Sequence, residues 1–336
     1  MTSGMDWFEA YDAALAPVLS ANGFLAVVAG AEESGLLARL VDPHDVPTLA
    51  AASGLPEPTV AALCRSLLLH DVVQDGDGTF TLTAVWRELL ASTAFATLGD
   101  TILSAQVEAR ALRAVGASED YWTMPLEDRL MLARAVSPNP YNDGLVEGFR
   151  SMSFADPDQE VLRAGGTALE LGCGVAGRIL TMLRAVPGMT AVGVELDPDL
   201  AAVARRRAEE LGVADRFEVV VGDAADFDRP ESFDRAQWSQ FFFPAPARAG
   251  ALAALHRALR PGGVAVAPVF GDADAIAAEP RGVEARYAAT FGILLASWGV
   301  PVRTGQELVA EFEAAGFTDV AVVPAPGIQR VRAVRP

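Results

Sequence analysis

The sequence predicts an α/β fold: a doubly wound, seven-stranded sheet with an antiparallel last strand, preceded by a smaller, mainly helical domain. Three observations carry this. From about residue 165 onward, short apolar runs alternate with amphipathic helical stretches, the pattern of a parallel sheet with helices on both faces. The first of those runs ends in an acidic residue and the glycine-rich turn Gly172-Cys173-Gly174-Val175-Ala176-Gly177, then a helix. The chain has 336 residues, half of them apolar, which is about two domains of roughly 100–200 residues each.

Residues 1–100 carry the smaller domain. The run 24–37 has helical spacing and is expected to be buried. Residues 48–65 read as helix, tight turn at Ser53-Gly54, second helix. Residues 72–83 follow as a hairpin with the glycine-rich tip Gly76-Asp77-Gly78. Together these make a winged helix. That arrangement invites a nucleic-acid reading, which charge disfavours: residues 1–90 hold three Arg against twelve Asp and Glu, a net of −9. Phosphate contacts dominate affinity for DNA, so such a surface would be repelled. A homodimer through this domain is the stronger reading, with no nucleic-acid partner.

Over the whole chain the net charge is −18, and all 26 basic residues are Arg. This argues against a polyanion-binding surface. Cys64 and Cys173 fall in different domains, so neither a disulfide framework nor a metal cluster is expected. Residues 1–9 are polar and acidic, and the apolar run 24–31 is too short for a bilayer. The expectation is a cytoplasmic protein without a leader or a membrane partner.

Residues 101–160 are expected to form a helical linker or lid, with helices over 102–115 and 126–136. The stretch Ser137-Pro138-Asn139-Pro140-Tyr141-Asn142-Asp143-Gly144 breaks the pattern as a turn or lid. Residues 161–336 form the catalytic domain, with strands expected at 168–171, 191–195, 217–221, 235–238, 264–270, 319–323 and 328–333. Helices are expected at 198–211, 247–259 and 305–315. Asp197-Pro198 supplies an N-cap followed by Pro at the first helical position, and Thr304-Gly305-Gln306-Glu307 is a capping box. The last two runs read as an antiparallel hairpin joined by Pro324-Ala325-Pro326-Gly327.

Gly172-x-Gly174-x-x-Gly177 alone also fits a dinucleotide site, and Glu195 at the end of the second strand would accept ribose hydroxyls in either case. Further features separate the readings. Glu170 stands where a pyrophosphate would be repelled, Gly222-Asp223-Ala224 puts a carboxylate after the third strand, and Arg260-Pro261-Gly262-Gly263 makes a tight turn before the fifth. The set Glu170-Leu171-Gly172-Cys173-Gly174, Gly193-Val194-Glu195, Gly222-Asp223-Ala224 and Leu259-Arg260-Pro261-Gly262-Gly263 resembles the class I S-adenosylmethionine-dependent methyltransferases, which have a Rossmann-like sheet. The winged-helix start makes the chain similar to small-molecule methyltransferases that dimerise through such a domain.

The resemblance implies S-adenosylmethionine as cofactor and roles for individual residues. Glu170, Gly172 and Gly174 would hold the methionine end, and Glu195, with Leu196 beside it, the ribose. Asp223 and Ala224 would read the adenine, while Ser239 and Gln240 would line the transferred methyl. Ala176 departs from the pattern, since many relatives have Gly there. Gln240 and Tyr141 are the candidate catalytic residues, and Phe241, Phe242, Asn142 and Trp298 would meet the acceptor. No metal is implied.

Relatives of the best-known kind place a His base after the fourth strand, whereas this chain reads Trp238-Ser239-Gln240-Phe241-Phe242-Phe243-Pro244. His44, His70 and His256 read as structural. A phenol or alcohol needs a base near neutral pH. Methyl transfer to a sulfur, nitrogen or activated carbon of a small molecule, in secondary metabolism, is therefore slightly favoured over oxygen. An alternative use of the same cofactor is its cyclisation to a small-ring amino acid with release of methylthioadenosine. An NAD-dependent oxidoreductase and a cofactor-sensing regulator are disfavoured, by Glu170 and by the acidic winged helix respectively. Residues 272–303 read as a lid, in which Arg281, Arg286 and Arg303 would meet an acceptor carboxylate and Phe291 and Trp298 would wall a pocket.

Overall fold

The structure is a computed structural model that describes residues 6–91, 96–114, 121–269, 271, 273–324 and 329–336. Expected boundaries at Val115, Phe270, Asp272 and Ile328, and most of the Pro324–Gly327 turn, lie outside the described residues. The chain divides into two compact units, Met1–Leu103 and Ser104–Pro336. Residues 104–160, expected as a linker, thus fold with the sheet: Val146 and Phe149 join one of its cores.

In the first unit, helix Val46–Ser53 is capped by Asp45, whose carboxylate accepts from the Thr48 N–H at 2.9 Å. Gly54, at φ +72°, ends it and turns the chain toward helix Glu57–Leu69. Strands β1 (His44–Asp45), β2 (Val73–Gly76) and β3 (Thr79–Leu82) pair antiparallel in the order β1-β3-β2. Leu36, Leu37, Leu40, Leu49, Val60, Leu67 and Leu82 form the core, together with Cys64, whose burial pushes its thiol up to about 11. Residues Trp7–Glu33 form one helical run of 27 residues, long and apolar enough by length and composition to cross a membrane. The core helix of a soluble protein meets the same measure, so the run by itself does not make a membrane span. Trp7, Phe8, Leu15, Val18 and Leu19 are exposed along it.

In the second unit, β4 (Thr167–Leu171), β5 (Thr190–Glu195), β6 (Phe217–Val221), β7 (Phe233–Trp238) and β8 (Leu259–Pro268) run parallel. The sheet order is β6-β5-β4-β7-β8-β10-β9, with β9 at Thr318–Val323 and β10 at Arg330–Val334. β10 pairs antiparallel with both neighbours, so the last strand inserts between β8 and β9. β8 starts at Leu259, five residues before the sequence expectation, because helix Ala245–Ala258 stops at Ala258. Alternation along β4 sends Leu169 and Leu171 into one core, with Trp238, Phe233 and Phe312, and Ala168 into the other. Glu170 shares the Ala168 face. The chain leaves β4 for β5 and β6, then returns to β7 on its other side. The carboxyl ends of β4 and β7 are therefore the switch point where such sheets bind ligands.

Gly172, at φ +72°, sits where an added Cβ would come within 2.8 Å of Phe243 Cε2. Gly172→Ala is expected to cost roughly 2–5 kcal/mol, from left-handed strain of about 1–2 and overpacking of about 1–3. Gly212, at φ +66°, has open space around it, and a Cβ added there would meet no atom within 4 Å. Gly212→Ala should show only the strain, about 1–2 kcal/mol. Urea unfolding of both variants checks the difference.

Candidate cofactor and acceptor site

The site is built on the turn after β4. Gly172 and Cys173 both donate their N–H to the Val194 carbonyl, at 2.9 and 3.1 Å. The Gly174 N–H donates to Glu195 Oε2 at 2.7 Å. Gly222 N–H in turn reaches the Glu195 carbonyl at 3.0 Å, so the ends of β4, β5 and β6 are stitched into one strip. Ala176 takes φ +58° as it leads into helix Gly177–Ala185, the left-handed region that suits the Gly of many relatives.

Glu170 and Glu195 dominate the electrostatics. Glu170 is buried, accepts from the Ser239 hydroxyl at 3.2 Å through Oε1, and leaves Oε2 without a partner among the described residues. Burial pushes its carboxyl up, against the Arg178 charge, the Ser239 bond and the Ile179 N–H at the helix start. Glu195 is also raised by burial, opposed by the Asp197 and Gly174 N–H groups. Its Oε1 accepts from Asp197 N–H at 2.9 Å. Each carboxylate oxygen can accept more than one bond, so both groups keep acceptor capacity. Cys173 lies beside them, and burial holds its thiol well above the usual range, so it stays protonated.

Over this strip lies helix Leu126–Ala135. Leu130 and Ala133 pack on Val175, Leu200 and Val203. Arg129 donates to Asp197 at 2.9 Å and to the Met124 carbonyl at 2.9 Å. Tyr121, Phe242 and Trp298 make an aromatic wall: Tyr121 stands edge-on to Trp298 at 5.6 Å, and Phe242 stacks on Trp298 at 6.4 Å. Burial, then the charges of Glu195 and Asp197, raise the Tyr121 phenol, so it remains a hydrogen-bond donor.

Sequence reasoning missed Tyr121 and Arg129. Only the Tyr121-Trp122 pair, in a segment read as linker, hinted at them. The positions expected to bind cofactor stand otherwise together. Glu170, Gly172, Gly174 and Ser239 surround the turn, while Glu195, half-exposed Leu196, Asp223 and Ala224 follow one another along the strand ends. Asp223 caps its own turn, accepting from Ala225 N–H at 2.8 Å, and its side chain stays accessible.

Other expectations are corrected. Gln240 is buried and its amide is committed: Nε2 donates to the Pro268 carbonyl at 3.1 Å and Oε1 accepts from Arg248 at 3.0 Å. Arg248 is itself held by Glu311 at 2.6 Å, so Gln240 braces the end of β7. Tyr141 bonds Glu210 and lies under Arg207, at the far end of helix Pro198–Glu210 from the strand edge. Asn142 caps helix Asp143–Ala155, accepting from Leu145 N–H at 3.0 Å. Tyr141 thus meets the glycine turn through Arg207, which donates to the Val175 carbonyl at 2.8 Å. Of the three phenylalanines, Phe243 fills core against Trp238, Phe242 joins the aromatic wall, and Phe241 is half-buried just before them in sequence.

In the expected lid, Arg303 is paired with Glu311 at 2.7 Å, and Phe291 is core; Arg281 and Arg286 are not drawn to the strip by any described bond. His256, the second unit's one imidazole among the described residues, packs on Phe317. No group of three or more His, Cys, Asp and Glu converges to hold a metal among the described residues.

Fold and site together define the class: this is the class I S-adenosylmethionine-dependent methyltransferase fold, with its helical N-terminal region. Residues 168–263 match the family described as "Methyltransferase domain". The matched residues contain the glycine turn, Glu195 and Asp223. The chain is 35% identical over 103 residues to the uncharacterised protein YjhP of Escherichia coli, covering 31% of this chain and 41% of YjhP. It is 30% identical over 106 residues to the ubiquinone biosynthesis O-methyltransferase of Pseudomonas putida, covering 32% of this chain and 45% of that enzyme. The chain thus spans less than half the length of these relatives. Solved structures resemble it throughout. Human N-acetylserotonin methyltransferase in complex with SAM has TM-score 0.68 at 18% identity, covering 100% of this chain and 99% of that one. CalO1, a methyltransferase in calicheamicin biosynthesis in its SAH-bound form, has TM-score 0.69 at 21% identity, covering 99% and 100%. An O-methyltransferase family protein of Burkholderia thailandensis has TM-score 0.66 at 16%, covering 99% of each.

A carboxyl raised by burial binds its proton more tightly folded than unfolded. Stability is therefore lost as pH rises from the unfolded to the folded pKa. Glu170→Gln should leave the ligand-free protein at least as stable as wild type at pH 7.5, with any advantage vanishing at pH 4.5. Thermal unfolding at the two pH values checks this, and a loss at pH 7.5 would contradict it.

Proposed function

We propose that the chain is an S-adenosylmethionine-dependent methyltransferase acting on a small molecule. The observation that carries this reading is the orphaned Oε2 of buried Glu170, placed beside a flat glycine turn and in one strip with Glu195 and Asp223. A buried carboxylate with a missing partner suits a ligand's ammonium, and two further acceptors along the strip suit ribose hydroxyls and an adenine amino group. The donor and acceptor sets fit S-adenosylmethionine, which when bound supplies an electrophilic methyl on a sulfonium. Glu195 and Leu196 would hold and cover the ribose and adenine, and Glu170 would fix the amino-acid end. Tyr121, Phe242 and Trp298 would wall the acceptor, exclude water and favour positive charge by ring electrostatics.

No described imidazole of the second unit reaches the strip, so the residues supply position and orientation more than proton transfer. An acceptor whose lone pair is already free, on sulfur, nitrogen or activated carbon, suits such a site. Several relatives are O-methyltransferases, which supports oxygen instead. The exposed apolar side of helix Trp7–Glu33 supports a second copy of the chain as partner, with acidic Glu9, Asp12, Glu32 and Glu33 at its ends. In this reading the small-molecule acceptor belongs to secondary metabolism, as the biosynthetic relatives suggest.

Mass spectrometry of pure protein incubated with S-adenosylmethionine alone tests the main reading. An unchanged cofactor, with methylated product appearing only when thioethers, amines, keto acids or phenols are added, is the expected result. Enzyme-dependent methylthioadenosine with a small cyclic amino acid would replace methyl transfer by cyclisation. Glu195→Gln should weaken cofactor binding by about 10–100-fold, the loss for charge-assisted bonds of about 1.5–3 kcal/mol. Isothermal titration measures it.

A further inference from the structure

The sheet face that carries Glu170 also carries an unusual density of arginine. In register, Glu170 stands opposite Gln237, Gln237 opposite Val266, and Val266 opposite Arg332. Arg235 and Arg330 lie two residues along from Gln237 and Arg332, so they share that face. Arg178, in the first turn of helix Gly177–Ala185, leans over it and interacts electrostatically with Glu170, Arg330 and Arg235. The acids facing the group are Asp156, Asp158 and Glu170. Asp156 takes Arg235 at 3.2 Å and Arg330 at 3.4 Å. Asp158 takes Arg332 through both oxygens, at 2.6 and 2.9 Å, and lies 3.5 Å from Arg235. Four guanidinium groups thus meet three carboxylates.

Donors are also left over. Arg235 is 3% exposed, and its Nη1 is ion-paired with Asp158 at 3.5 Å, yet its Nε has no hydrogen-bond partner among the described residues, and the buried Nε of Arg330 has none. The half-buried Arg178 makes no hydrogen bond or ion pair among the described residues. Buried guanidinium donors without acceptors are rare in folded proteins and point to a missing acceptor. The orphaned acidic oxygen nearby, Glu170 Oε2, is a single atom and suits a cation.

We propose that Arg178, Arg235 and Arg330 form a subsite for a ligand's carboxylate, with Glu170 beside it for an ammonium. The inference rests on the cofactor reading above and deepens it. Planar guanidinium groups match a carboxylate bidentately, and excess positive charge on a buried face is balanced by one anion. The carboxylate has two possible sources: the amino-acid end of the cofactor, or the acceptor. Arg178 is the member without an internal partner among the described residues, so it is the one to remove.

Isothermal titration compares wild type, Arg178→Met and Arg178→Lys with three ligands. These are S-adenosylhomocysteine, its decarboxylated analogue and methylthioadenosine, which lacks both the amino and carboxyl groups. Expected for the cofactor source is a loss of about tenfold or more in wild type on decarboxylation. Arg178→Met should lose the same factor on S-adenosylhomocysteine only, and Arg178→Lys should recover part of it. With decarboxylation neutral, the acceptor source predicts that aromatic carboxylates bind wild type saturated with S-adenosylhomocysteine, matched amides do not, and Arg178→Met abolishes the preference. If neither arm shows a carboxylate preference that depends on Arg178, the donors hold only water and the proposal is overturned. If methylthioadenosine fails to bind wild type, the cofactor reading itself falls, and the subsite with it. Equal methylthioadenosine affinity in all three proteins shows that the variants are folded.

Discussion

The Val194 carbonyl and the Glu195 carboxylate hold the turn after β4 against the end of β5, and the rest of the site follows from that attachment. Three consecutive N–H groups, of Gly172, Cys173 and Gly174, are spent on it. Such pairing needs the turn backbone to lie flat on its neighbour, which requires positive φ at Gly172 and Gly174. It also requires Gly193 on β5, where a Cβ would come within 2.6 Å of Cys173 Sγ. With the turn fixed, helix Gly177–Ala185 must start directly beneath it, and its first N–H groups point at Glu170. Glu195 therefore has two jobs in one carboxylate: it closes the turn with part of its acceptor capacity and offers the remainder to a ligand.

Burial is what makes these acids useful. A carboxylate without a full set of partners is a poor occupant of a folded interior, and both Glu170 and Glu195 are pushed toward their neutral forms when no cation is near. A ligand with an ammonium and several hydroxyls repairs that deficit. The ligand-free fold thus holds a stored preference for such a ligand, and the same reasoning applied to the opposite charge explains the arginine cluster on the same face. Asp156 and Asp158, from the short stretch before β4, neutralise that cluster only in part.

The fold was legible because β strands at this edge announce themselves twice, by apolar runs and by the turn that follows each one. Glu170, Glu195 and Asp223 stand at strand ends, so their positions follow from the strand boundaries alone. The insertion of β10 between β8 and β9 was not legible, since a hairpin in sequence says nothing about which arm faces the sheet. Gln240 misled because a residue just beyond β7 can point into the site or back beneath it. Arg248, eight residues later, draws its amide into a structural bridge. Tyr141 and Asn142 were legible only by proximity in sequence: past Ser137–Pro138 at the helix start, Arg184 donates to the Pro140 carbonyl at 2.7 Å, Tyr141 bonds Glu210 and Asn142 caps its own helix. Tyr121 was missed because nothing local distinguishes a site tyrosine from a packing one.

The lack of a second-unit imidazole near the strip, among the described residues, bears on chemistry more than on binding. Proton abstraction by a positioned base contributes a limited part of what orientation in a closed, low-dielectric site supplies. Here the groups above the strip are Tyr121, held protonated, and Arg129, engaged with Asp197. Tyr121 thus stays a donor at neutral pH. The acids below, Glu170 and Glu195, are buried and pushed toward their neutral forms. A nucleophile that must lose a proton before it attacks would find no acceptor placed for it among these residues, whereas one that attacks through a free lone pair would need only the aromatic wall and the right approach angle. On the proposed function, the side chains around the strip would select the acceptor by what they leave out.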